Sequence, residues 1–176
     1  MKLGHSCDTA WRRTISFVCA QFILALSGSV DAVAACLSTT PAWEQMEYRQ
    51  IVAIDEEGGR RGILVKLADE AQEWSAGFQH VCPEVIAKAP MLFVFERLYD
   101  GAFHMSNVHA PLDIGFFDEE GVLIELHHMQ PYVLGSTQVG QIYRAHRPYI
   151  FALEARSGFF AENQFVEGQT RLILSD

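Results

Sequence analysis

Residues 112–129, LDIGFFDEEGVLIELHHM, decide how this chain is read. Leu112, Ile114 and Phe116 alternate with Asp113, Gly115 and Phe117, the period-2 pattern of a strand that presents different side chains to its two faces. DEEG (118–121) is polar and ends in glycine, as a tight turn favours. VLIELHHM (122–129) is apolar and β-branched again, so the stretch predicts a β-hairpin.

The same punctuation recurs outward from this hairpin. YRQIVAI (48–54), the turn DEEGGR (55–60) and GILVKLA (62–68) predict a second hairpin. PMLFVFER (90–97), GAFHMSNV (101–108), RPYIFALE (147–154) and TRLIL (170–174) read as further strands, and QPYVLGSTQVG (130–140) as a loop. ADEAQEWSAGF breaks the alternation. Asp69 with Gln72 three residues on suits a helix start, and Gly77 suits its end, which predicts a helix over 69–76. A turn of helix at Glu84–Lys88 and a short helix over 157–165, capped by Ser157, complete the set. About eight short strands with one to three short helices predict a mainly β fold, an antiparallel sandwich or barrel-like sheet.

A chain of 176 residues, 49% hydrophobic and 20% charged, is the size and composition of one globular domain. Its net charge of −9 argues against nucleic acid or an anionic membrane as partner, since both select basic patches.

Residues 1–35 read as a signal peptide. Lys2, Arg12 and Arg13 precede an interrupted apolar run, TISFVCAQFILALSGSV, which ends in DAVAAC. The run is shorter than the ~20 residues of a membrane-spanning helix, so no mature transmembrane span is expected; a retained N-terminal anchor is the alternative. Ala32-Val33-Ala34 fits cleavage before Ala35. Val33-Ala34-Ala35-Cys36 also resembles a lipoprotein box, which would place a lipid anchor on Cys36. Arg12-Arg13 hints at a twin-arginine signal, although Ser16 stands where that motif wants a hydrophobe. Residues 36–46, CLSTTPAWEQM, read as a linker, leaving 47–176 as the single β-rich domain. Beyond residue 35 only Cys36 and Cys82 remain, and outside the cytoplasm they could form one disulfide. A lipid on Cys36 would instead leave Cys82 unpaired, and Cys82 could then be a buried small hydrophobe.

Several stretches then fall into a known order: Gly77-Phe78; Met91-Leu92-Phe93-Val94-Phe95; Phe103-His104-Met105-Ser106-Asn107; Pro111-Leu112-Asp113; Phe116-Phe117-Asp118 with Gly121; Leu153-Glu154; Gly158; and a glycine turn at Gly168. Over residues 62–174 the chain resembles the domain-of-unknown-function family numbered 192. The family's usual pattern is Phe-Trp-Met-Lys-Asn-Thr, where this chain has His104 for Trp, Ser106 for Lys and Val108 for Thr. Gly77-Phe78-Gln79 stands where Gly-Leu-Met is usual. The resemblance implies a mainly β, sandwich-like domain, often exported, and no established activity, cofactor or catalytic residue.

The polar residues of the 103–113 segment are the candidate site. On strand 101–108, Phe103, Met105 and Asn107 share one face, so Asn107 points inward and needs a hydrogen-bond partner. Its amide could tie down the following turn. Asp113 could accept backbone N–H groups from the preceding turn, or face a shallow groove beside Gly115. The groove reading takes Phe103, His104, Met105, Asn107, Pro111, Asp113 and Phe117 as its residues. His104, Asn107 and Asp113 form its polar floor, and Phe103 or Phe117 its apolar wall.

Six histidines follow residue 35: His80, His104, His109, His127, His128 and His146. With Met105 and Met129 beside two of them, a copper or zinc site is an alternative, since imidazole and thioether suit those metals. It would need His104, His109 and His128 to converge in space, because no chelating helix motif or pair of CxxC motifs is present. A hydrolase is the third reading. No G-x-S-x-G occurs; Cys82 with a distant histidine is the one nucleophile pairing; Glu56-Glu57 and Glu119-Glu120 lie in turns, as solvated charge does. The expectation is therefore an exported binding or accessory domain at the cell envelope. No cofactor and no catalytic residue are assigned, and the partner is an unidentified small molecule or envelope protein.

Overall fold

The computed structural model describes residues 35–132 and 140–174. In chain order the elements are α1 (Pro41–Gln45), β1 (Tyr48–Ile54), β2 (Arg60–Ala68), α2 (Ala71–Ala76), α3 (Pro83–Ile86), β3 (Met91–Tyr99), β4 (Phe103–His104), β5 (Leu112–Phe117), β6 (Leu123–Met129), β7 (Ile142–Tyr143), β8 (Tyr149–Arg156), α4 (Phe159–Glu162) and β9 (Arg171–Leu174). The protein is mainly β. Seven strands form one sheet in the order β6-β5-β8-β3-β2-β1-β9, and β4 pairs with β7 apart from it.

Both predicted hairpins are present, β1 with β2 and β5 with β6. The sheet is mixed rather than wholly antiparallel, because β2 and β3 run parallel. Parallel neighbours need a long crossover, and residues 69–90, carrying α2 and α3, supply it.

Laid flat, six spacings of ~4.8 Å would hold β6 and β9 roughly 29 Å apart. Instead Val122 bridges to Arg171. The Leu123 N–H donates to the Thr170 carbonyl at 2.8 Å, and the Leu172 N–H to the Gly121 carbonyl at 2.8 Å. The sheet is thus curled until its edges touch. The contact does not extend into a ladder, so the barrel is not closed.

The curl sorts the apolar residues into two cores. Ile51, Val65, Leu92, Phe117, Leu123, Leu153 and Leu172 pack inside it, with Phe160 and Phe165. Gly115 makes room for that filling, since a Cβ there would come within 2.7 Å of the Phe160 ring. Met91, Phe93, Phe95, Ile114, Phe116 and Ala152 occupy the outer face, under residues of α1, α3 and the β4/β7 pair.

Four expectations change. Residues 36–46 are not a free linker. Cys36 is disulfide-bonded to Cys82; the Leu37 N–H donates to His80 at 2.7 Å; Thr40 caps α1; and Trp43 packs on Phe78 with ring centroids 5.6 Å apart. Apolar Trp43 and Met46 anchor the segment to the core. The α2 start lies one residue on, at Glu70, because the Glu73 carboxylate accepts the N–H groups of Asp69 and Glu70. Its end is at Gly77, as expected. The α4 N-cap is Gly158, not Ser157. The strand expected over 101–108 keeps only Phe103–His104, because Asn107 has φ 58°, a left-handed conformation that asparagine tolerates and a strand does not.

Within the loop expected at 130–140, residues 133–139 lie outside the described residues, as do residues 1–34 of the expected signal peptide. Among the described residues no helix is long and apolar enough to cross a membrane.

Candidate functional site

The expected groove residues do not come together. Asp113 and Phe117 sit on one face of β5, while Leu112, Ile114 and Phe116 sit on the other, where Phe103 packs. Phe117 is wholly buried inside the curl. It cannot be a wall beside Phe103, because the sheet stands between them. Asp113 is occupied twice: one oxygen lies 2.7 Å from Nδ1 of His128, and the other accepts the Gly158 N–H at 2.7 Å. It ties β5 to the start of α4 rather than to the preceding turn.

Met105 is fully buried in the outer core. Pro111 is exposed, and its carbonyl accepts the Ser157 N–H. Asn107 holds a turn chiefly through its backbone: its carbonyl accepts the His80 N–H at 2.8 Å, and its amide reaches Gln79 at 3.4 Å. These residues build the architecture.

Nor do the histidines converge. His104 is exposed, and its Nδ1 accepts the Ser106 N–H at 3.3 Å. His128 is paired with Asp113. The Nε2 of His109 is buried without a partner among the described residues. Among the described residues no group of three or more His, Cys, Asp or Glu side chains is disposed to hold a metal ion. His127 and His146 instead flank Glu125 at 2.9 and 2.7 Å. Burial pushes the Glu125 carboxyl up. Hydrogen bonds from His146 and the charges of both histidines outweigh this and hold it below the usual carboxylate range. Cys82, the one nucleophile considered from sequence, is oxidised with Cys36.

Phe103 and His104 do meet a cavity, but with partners that sequence reading left out. It has a volume of about 90 Å³ and lies between α2, β3 and β4. Trp74 and Gln79 line it from α2 and its C-terminal turn; Phe93, Phe95 and Tyr99 from β3; and Glu154 from β8. The wall side chains are braced by their neighbours. The Trp74 indole N–H donates to the Ala68 carbonyl at 2.9 Å. Phe95 stacks on Tyr99 at 4.4 Å between centroids, and Phe103 meets Phe93 edge-on at 5.0 Å. Ala76 and Gln79 also line a wider, shallower depression of about 380 Å³ with Thr40, Pro41 and Gln45.

Glu154 is the unusual member. It is 4% exposed, and among the described residues no group hydrogen-bonds its carboxyl. The register runs Lys66–Met91–Glu154 across β2, β3 and β8, so a buried cation stands two strands away. Lys66 does not turn toward it. Its Nζ donates to the Met46 carbonyl at 2.8 Å and lies 4.3 Å from the Tyr48 ring centroid. Unpaired and desolvated, the Glu154 carboxyl is pushed up to about 8, far above the usual carboxylate range, so burial favours its protonated form near neutral pH. One signal in the sequence could have found it: YIFALEA puts a single acid in an otherwise apolar strand, at a position that alternation puts on the same face as the small apolar Ala152.

Of the positions at which this chain departs from the pattern of the family it resembles, Phe78, Gln79, His104 and Val108 lie on the cavity wall. Ser106 does not line it and is buried.

Comparison with known proteins agrees with this architecture. Two solved structures share the fold, each with a TM-score of 0.63. One is a Sinorhizobium meliloti 1021 protein, provisionally named a transcription regulator; it is 22% identical, over 73% of this chain and 95% of its own. The other is a protein of unknown function from Novosphingobium aromaticivorans DSM 12444; it is 19% identical, over 80% of this chain and 94% of its own. At these identities the likeness is one of fold. No curated protein matches the chain. The model of the DUF192 family, described as Uncharacterized ACR, matches residues 52–172, so this chain belongs to the DUF192 family.

Proposed function

We propose that this protein is an exported binding domain and that its ligand sits in the Glu154 cavity. One observation carries the reading: Glu154, a residue only 4% exposed, has no hydrogen-bond partner for its carboxyl among the described residues and lines a cavity walled by aromatic rings. A buried polar group without a hydrogen bond costs about 1–3 kcal/mol. A fold concerned only with stability would replace it by an apolar residue, so the cost points to use at a site. Apolar walls with few polar groups are the usual make-up of small-ligand sites. The volume suits a side-chain-sized fragment, being smaller than the ~150 Å³ that holds a benzene ring.

Export is supported by the Cys36–Cys82 disulfide, which belongs in an oxidising compartment. It also favours cleavage before Ala35 over lipidation, because the disulfide uses the sulfur that a lipid would modify.

The test is a fragment screen on the domain beginning at Ala35, read by NMR at Trp74 and Phe103. Fragments should shift those signals, and Glu154→Leu should abolish the shifts of the polar ones. Fragments that bind only elsewhere would refute the assignment.

A further inference from the structure

We propose that the cavity takes the ammonium head of an organic amine, with Glu154 as its counter-ion and the rings of Trp74, Phe93, Phe95 and Phe103 as its walls. The inference rests on the reading of this cavity as a ligand seat and names the ligand's chemistry.

Three observations converge on a cation. The first is the carboxyl itself. It ends in a cavity with no hydrogen-bond donor of the protein committed to it among the described residues, and the nearby buried cation, Lys66, is held by Met46 and Tyr48. The charge Glu154 needs can come from outside. The second is the wall. Aromatic faces attract cations through their quadrupoles, more strongly in a desolvated site. Trp74 and Phe95 lie 5.2 Å apart at an interplanar angle of 41°, and Phe93 and Phe103 stand edge to face. The third is Gly77, whose backbone has φ +48° at the end of α2. A Cβ on it would fall 3.9 Å from Glu154 Oε2, in the space beside the carboxyl. The absent side chain leaves room there for a ligand group. The acidity of the whole chain adds a field that draws cations.

The groups around Glu154 set its pH behaviour. Tyr99 from β3 and His104 from β4 line the cavity. Tyr149, on the same strand, donates its hydroxyl to the Gly101 carbonyl at 3.1 Å, and burial pushes that hydroxyl up, so it stays neutral. From α2, Glu73 turns away to the N–H groups of Asp69 and Glu70. Empty, Glu154 favours its protonated form near neutral pH. As an ammonium enters, that proton leaves to the buffer and the carboxylate pairs with the cation.

This coupling makes the test decisive. The probes are n-butylammonium, 1-butanol and butyrate, which share a chain and differ in charge. Their binding to the domain beginning at Ala35 is followed by NMR at Trp74. Butylammonium should bind best. Its affinity should rise about tenfold per pH unit between pH 5 and 7 and level off above about pH 8, since only ionised Glu154 accepts it. Glu154→Gln should lower the affinity at pH 8 by about tenfold or more and remove the pH slope. If 1-butanol binds as well, or affinity falls above pH 8, Glu154 acts as a neutral donor; the proposal is then wrong while the cavity remains a ligand seat. If no probe moves Trp74, the amine proposal is wrong. The ligand seat itself falls only if the wider fragment screen also leaves Trp74 and Phe103 unmoved.

Discussion

A Cβ built on Gly77 would lie 3.9 Å from Oε2 of Glu154 and 3.7 Å from Cζ of Phe93, so this glycine and this acid share one wall of the cavity. They come from distant parts of the chain, a helix end and a sheet strand. The sequence separation hides their meeting, and the β2-to-β3 crossover produces it.

Gly77→Ala should therefore have two effects. The methyl group fits sterically, at ordinary contact distances. Its backbone, with φ 48° and ψ −140°, is a conformation that L residues avoid, and holding one there costs about 1–3 kcal/mol. Urea unfolding should show a loss in that range. Ligand binding should weaken beyond what stability explains, since the methyl group occupies space beside Glu154.

The pH dependence of stability should carry the signature of Glu154. Its folded pKa is about 8, above the ordinary 4.5, so the folded state holds a proton that the unfolded state has released between those values. Stability contributed by this group is present below pH 4.5 and is lost as pH rises through about 8. Glu154→Gln should flatten the decline and make the domain more stable than wild type at pH 9. Melting temperatures at pH 5, 7 and 9 check it; an unchanged slope in the variant would assign the decline to other groups.

Asp113→Ala separates architecture from site. It removes the acceptor of the Gly158 N–H and the partner of His128. A destabilisation of about 1–3 kcal/mol is expected, with no change in ligand affinity at the Glu154 cavity. A lost affinity at full folding would return Asp113 to the binding site.

Reduction should destabilise the domain through its N-terminal segment. Cys36 and Cys82 are 46 residues apart, and chain-entropy arguments put a loop of that size at about 4 kcal/mol. Cys36→Ser should lower the melting temperature and expose Trp43, read as a red shift of tryptophan emission. Intact mass of the protein expressed with residues 1–35 and recovered from the periplasm should give a chain starting at Ala35, oxidised and without lipid.

Local pattern carried far in this protein. Alternation in LDIGFF correctly placed Leu112, Ile114 and Phe116 against Asp113, Gly115 and Phe117, because side-chain period along a strand is a local property. Both hairpins and the glycine end of α2 were legible for the same reason: turn and cap chemistry acts within a few residues. The motif around Phe103–Asp113 placed the chain in its family. Tertiary structure alone decided which faces join. The curled sheet separates Phe117 from Phe103, and the left-handed Asn107 ends the strand that alternation had prolonged. The cavity is non-local as well. Its walls come from α2, β3, β4 and β8, and no spacing along the chain records that Glu154 would be left without a partner. That depends on where Lys66 turns, and packing against Met46, Trp43 and Tyr48 turns it away.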